Sequence, residues 1–126
     1  MVTSPMVKKR KNQTELPPEQ CPLGTCMSYF GGVWVPNIIW HLSSGPRRFS
    51  ELKDDLKTIA PKVLSDKLKK MERDGLVVRV IQPTSPPTVE YSLSELGQEF
   101  KPILKAIVNV GHKLKSGSSH PDLRKK

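Results

Sequence analysis

The apolar positions of the chain fall into short runs whose spacing changes along its length. Pro22 suits the first position of a helix, where its missing N–H needs no partner, and the run from Pro22 to Phe30 is expected to be helical until Gly31-Gly32 stops it. Trp34, Ile38, Ile39 and Leu42 then follow helical spacing, which predicts a second helix from Val33 to Leu42. Pro36 is tolerable there only within the first turn. After the turn Ser43-Ser44-Gly45-Pro46, a third helix is expected to open at Phe49-Ser50-Glu51-Leu52, with Ser50 as N-cap and Leu52 and Leu56 facing inward. Lys57-Thr58-Ile59-Ala60 reads as a tight turn. The fourth helix, Pro61 to about Asp74, carries Leu64, Leu68 and Met71 at i, i+4 and i+7, one buried stripe, and Gly75 ends it.

Beyond Gly75 the period changes. Leu76 to Ile81 and Thr88 to Ser92 have strand character, and Gln82-Pro83-Thr84-Ser85-Pro86-Pro87 between them excludes helix, so a β-hairpin is expected. Ser92-Leu93-Ser94-Glu95 resembles a capping box, with Ser94 as the other possible cap. One long helix should then run to about Leu114, with Leu96, Phe100, Ile103, Leu104, Ile107, Val110 and Leu114 on a broad apolar face and a bend near residue 98 from Pro102. The predicted fold is mainly α with a β-hairpin. Two helices joined by a turn of about four residues form a helix-turn-helix, and the hairpin after the second makes it a winged helix.

That order gives the fourth helix its meaning. With Leu64, Leu68 and Met71 inward, the opposite side carries Pro61, Lys62, Ser65, Asp66, Lys69 and Arg73. Such a helix fits the major groove of DNA. Lys62 and Ser65 lie in the half that reaches base edges. Lys69, Lys70 and Arg73 suit phosphates, and Asp66 can accept from a cytosine amino group or pair with a neighbouring lysine. Arg48 and Lys53 are candidates for flanking phosphates. The wing tip, Thr84 to Pro87 with Ser85 in it, has no Lys or Arg, and Arg79 is the nearest cation, so wing contacts should be mainly backbone and van der Waals. The plainer reading of such a helix is a solvated charged face; the surrounding element order is what favours DNA.

Composition adds bounds. The 126 residues suit one domain with a tail at each end: an arm at 1–20, a folded unit at 21–114 and a tail at 115–126. The net charge is +9. The arm contributes Lys8, Lys9, Arg10 and Lys11 against Glu15 and Glu19. Residues 113 to 126 contribute Lys113, Lys115, Arg124, Lys125 and Lys126 against Asp122. Two thirds of the excess thus sits at the ends, and the charge by itself is weak support for nucleic-acid binding. No apolar run approaches the ~20 residues of a membrane-spanning helix. The first residues lack a secretory apolar run, and two cysteines make no disulfide framework, so a cytoplasmic location is expected.

Cys21 precedes Pro22 at a helix start, where the helix dipole favours a reactive thiolate. It is either a redox-sensing residue or a half-buried structural one. His41, His112 and His120 are scattered, and with two cysteines they do not cluster as zinc ligands do. Neither a metal nor another cofactor is expected. No nucleophile elbow, phosphate-cradling loop or carboxylate pair appears, which argues against an enzyme, a thiol redox enzyme included.

The chain resembles the HxlR-type winged helix-turn-helix transcriptional regulators over roughly residues 21 to 112. The resemblance rests on Cys21-Pro22, Gly31-Gly32-Val33-Trp34, Gly45-Pro46-Arg47-Arg48-Phe49-Ser50-Glu51-Leu52, Lys62-Val63-Leu64-Ser65, Leu68, Asp74-Gly75-Leu76-Val77, Pro86-Pro87, Val89-Glu90-Tyr91-Ser92-Leu93 and Leu96-Gly97. It implies a homodimer, paired through its first and last helices, that binds double-stranded operator DNA and regulates nearby genes, more often as a repressor. It also implies a possible electrophile or small-molecule effector, sensed in some members through a cysteine at the position of Cys21. Val33 stands where the family usually has Lys, Ala60 where it often has Ser, and Pro36 is unusual. Losing that Ser weakens the N-cap of the fourth helix by ~1 kcal/mol. Independent of the resemblance, Leu23, Met27 and Phe30 on the first helix and Ile103, Ile107, Val110 and Leu114 on the last are more apolar surface than so small a domain easily covers. Two-fold pairing then predicts an inverted repeat with half-sites ~10 bp apart or a multiple. The alternative function is a winged-helix module that binds protein through the same face.

Overall fold

The computed structural model describes residues 22–117. The order of elements is α1 (Pro22–Ser28), α2 (Trp34–Leu42), β1 (Arg47–Arg48), α3 (Phe49–Leu56), α4 (Pro61–Arg73), β2 (Val77–Gln82), β3 (Thr88–Leu93), α5 (Glu95–Glu99) and α6 (Lys101–Ser116). The strands form an antiparallel sheet in the order β1-β3-β2. Arg47 pairs with Tyr91 and Arg48 with Glu90, while β2 and β3 run in register from Val77–Leu93 to Gln82–Thr88. The expected hairpin is present, and β1 adds a third strand that two arginines gave no reason to expect.

The core is assembled mainly from one face each of α2, α3 and α4. Val35, Ile38, Ile39 and Leu42 of α2, Leu52 and Leu56 of α3, and Leu64, Leu68 and Met71 of α4 are buried together with Leu76, Val77, Leu93, Phe100 and Leu104. Val35 is buried more deeply than Trp34, which packs half-buried at the margin. Pro36 falls in the first turn of α2, the one place it is harmless.

Three junctions depart from expectation. The cap of α3 is Arg48 and not Ser50: the backbone N–H of Arg48 donates to Glu51 Oε1 at 2.8 Å, and Ser50 lies inside the helix. A guanidinium accepts nothing, so only this half of a capping box exists. The single long last helix is two helices. The chain breaks at Phe100, and Pro102 sits in the first turn of α6, where its lost N–H costs little. A proline that would have kinked a continuous helix thus starts a new one. That helix continues past Leu114 to Ser116, closed by Gly117, so the start of the expected tail is helical.

Ser94 is the N-cap of α5. Its hydroxyl accepts from the Gly97 N–H at 3.0 Å and donates to the carbonyl of Gly75. Gly97 is needed here, because a Cβ would collide with the backbone carbonyl of Leu76. Gly75 itself takes φ 79°, which releases the chain from α4 into β2.

Candidate nucleic-acid interface

Helices α3 and α4 are joined by residues 57–60, and this turn sets how α4 leaves the body. Lys57 adopts φ 62° and ψ −68°, and the Thr58 N–H donates to the Leu56 carbonyl at 2.7 Å. This is a γ-turn with positive φ, a strained conformation for a residue with a side chain. It allows Ile59, only 2% exposed, to plug the core from within the turn. Ala60 then caps α4 without any side-chain bond, as the missing Ser implied, and Pro61 occupies the first turn.

On α4 the inward residues Leu64, Leu68 and Met71 are fully buried, so the helix cannot rotate. The opposite stripe is Lys62, Asp66, Lys69 and Arg73, all exposed, at i, i+4, i+7 and i+11. Pro61 is exposed at its start and Ser65 stands half-exposed on its flank. Lys62 Nζ lies 3.4 Å from Asp66 Oδ2.

The other expected residues separate into two groups. Arg48 is exposed beside α3, 3.7 Å from Glu51, and Arg79 and Ser85 are exposed on the wing. Lys70 departs from expectation. It is turned off the outward stripe, pairs with Asp74 at 2.8 Å, approaches the Tyr29 carbonyl at 3.5 Å, and is 31% exposed. Its ammonium ties α4 to the segment after α1, a bracing contact invisible in a count of cations. Arg47, next to Arg48, points the other way along the strand. It bonds Ser44 Oγ and the carbonyls of Gly45 and Pro46, and meets Asp55 at 3.4 Å, so it holds the turn between α2 and α3.

A second exposed surface is apolar. Leu23 and Met27 of α1 and Ile103, Ile107, Val110 and Leu114 of α6 all face out, Ile107 being 52% exposed. Between α2 and α6 lies an open groove of about 520 Å³ lined by Val33, Pro36, Trp40, Ile107, Val108 and His112, among others. Phe30, expected on this surface, is instead 5% exposed, with its ring 5.4 Å from that of Phe100 in the protomer's own core. Cys21, the candidate thiol sensor, lies outside the described residues, as do the arm at 1–20 and the tail beyond Gly117. Cys26, half-buried on α1, packs against the core. Among the described residues no cluster of His, Cys, Asp and Glu could hold a metal ion, and no helix is long and apolar enough to cross a membrane.

A helix-turn-helix followed by a paired wing, with a charged outward helix, is the architecture of a winged-helix DNA-binding regulator. The profile of the HxlR-like helix-turn-helix family matches residues 29–118, and the chain belongs to that family. It is 35% identical over 97 residues to the uncharacterized HTH-type transcriptional regulator YdeP of Bacillus subtilis (strain 168), covering 77% of this chain and 76% of that one. It is 43% identical over 96 residues to the uncharacterized HTH-type transcriptional regulator BH0655 of Halalkalibacterium halodurans, covering 75% and 85%. Among solved structures, the redox regulator HypR in its oxidised form superposes with a TM-score of 0.70 at 32% identity, covering 74% of this chain and 96% of that chain. The reduced form of the transcriptional regulator YodB from B. subtilis gives 0.65 at 29%, covering 81% and 97%. The protein is therefore a transcription regulator with a helix-turn-helix domain, and the family is not one of enzymes.

Proposed function

We propose that two copies of the chain pair through α1 and α6, place their α4 helices in successive major grooves of an inverted-repeat operator, and repress the adjacent gene. The observation that carries this reading is the division of α4: one side wholly committed to the core, the other exposed and net cationic. Lys62 and Ser65, in the N-terminal half, read base edges. Lys69, Arg73 and Arg48 meet phosphates, Pro61 packs at the groove edge, and Arg79 and Ser85 bring the wing to the backbone. Lys70 is left out of this set because Asp74 and Tyr29 hold it. The exposed apolar residues of α1 and the exposed apolar row of α6 support the pairing, since apolar surface left in water in that amount marks an interface. The two-fold axis then spaces half-sites ~10 bp apart or a multiple.

The reading extends to a thiol response at Cys21, which directly precedes α1, an element of the proposed pairing. The similarity to HypR, a redox regulator, supports it. Mild oxidant should change operator binding by the native chain and leave Cys21→Ser unaffected; equal loss in both removes Cys21 from the reading.

The central test is DNA binding across a salt series. Affinity should fall log-linearly with salt, and Lys69→Ala or Arg73→Ala should weaken binding to all duplexes alike and flatten the slope. Lys62→Ala should relax sequence preference. Salt-independent association with a protein, and none with DNA, would establish the protein-binding alternative instead.

A further inference from the structure

Asp66 is the sole acid on the outward stripe of α4, and no feature of the fold accounts for it. Its side chain is 57% exposed, so it packs against little. As the sixth residue of α4 it lies beyond the first turn, where the helix dipole favours an acid. Its ion pair with Lys62, itself 85% exposed, places Lys before Asp, the less favourable i,i+4 order, and exposed pairs of this kind contribute little. The contrast is Lys70–Asp74 at the C-terminal end of α4, shorter and half-buried, where Lys70 braces a neighbouring segment. On a face turned toward a polyanion, Asp66 opposes binding at every sequence except one that offers its carboxylate a donor.

The floor of the major groove offers such donors only as the amino groups of cytosine and adenine. Lys62 beside it requires acceptors. A G·C pair presents guanine N7 and O6, both acceptors, immediately next to the cytosine N4 amino group. An A·T pair presents only one acceptor on either side of its donor, and a methyl group beyond one of them. The two charged ends, 3.4 Å apart on adjacent turns, match the G·C edge. We infer that Lys62 and Asp66 read one G·C base pair in each half-site as a unit, Lys62 donating to guanine and Asp66 accepting from the cytosine amino group. The inference rests on the placement of α4 in the groove proposed above, and adds that Asp66 is a specificity-determining residue with a repulsive and an attractive role.

The experiment starts from duplexes that the full-length chain selects out of a random library. Each base pair of the half-site is replaced in turn, and each cytosine is also exchanged for 2-pyrimidinone, which lacks only the 4-amino group. For the native chain, one position should lose on the order of tenfold in affinity when that amino group is removed. Asp66→Ala should be insensitive at that position and bind unrelated DNA several-fold more tightly. Asp66→Asn, which keeps an acceptor without the charge, should also tighten on unrelated DNA but retain part of the response to the amino group. If Asp66→Ala responds to amino removal as the native chain does, or no cytosine matters, the inference is overturned. Lys69→Ala and Arg73→Ala serve as the control on the groove placement. If they weaken unrelated DNA while Asp66→Ala fails its test, only the base-pair reading falls. If they change nothing, the placement of α4 falls with it.

Discussion

Two helices of this molecule turn a full face away from the core, and the two faces are chemically opposite. On α4 the outward side is Lys62, Asp66, Lys69 and Arg73; on α6 it is Ile103, Ile107, Val110 and Leu114. Charged side chains lose nothing by facing water, so α4 is a stable surface that waits for a polyanion. Apolar side chains in contiguous exposure forgo about 25 cal/mol for each Å² left in water, so α6 is stabilised only when something covers it. In the function proposed above, the first face supplies affinity for DNA and the second the pairing that presents two such faces together.

The sharpest break of that comparison is Ile107→Glu. Pairing through α6 should be lost, sedimentation should report a monomer, and operator affinity should fall by at least about a hundredfold because one half-site is held alone. Thermal stability of the protomer should change little, since Ile107 lies outside the core. A dimer that survives this substitution would place the interface elsewhere.

A smaller effect tests where the DNA-facing side of α4 ends. Lys70→Ala should leave the salt dependence of DNA binding unchanged, unlike the same change at Lys69. It should lower stability by about 1 kcal/mol, roughly 4–8 °C in Tm by calorimetry, through loss of the Asp74 and Tyr29 contacts. A flattened salt slope in this variant would return Lys70 to the phosphate-binding set.

Ala60→Ser sharpens the picture of α4 further. A hydroxyl at the cap, where the backbone is extended and no side chain now bonds, should raise stability by up to about 1 kcal/mol in chemical unfolding. Its expected effect on DNA affinity is smaller still, and any gain should be the same on every sequence.

Periodicity was enough to place α2, α3 and α4, the hairpin and the three inward residues of α4, because an amphipathic stripe is local information written at fixed spacing. The outward stripe followed from the inward one by geometry alone. Lys70 and Phe30 differ from expectation for a shared reason. Each lies near the edge of a stripe and meets a partner far away in sequence: the Tyr29 carbonyl for one, Phe100 for the other. The γ-turn at Lys57 carries no compositional signal, since a lysine does not favour positive φ.

The amino-acid order by itself determined the winged helix-turn-helix, the buried side of α4 and the family, since each is a short-range pattern of apolar spacing, turn residues and motif. The tertiary structure alone decided which cations are free and which are braces, that β1 joins the sheet, and that Pro102 begins a helix instead of bending one. Those outcomes turn on whether a group elsewhere in the chain arrives within bonding or packing distance, and such proximity exists only once the core has closed.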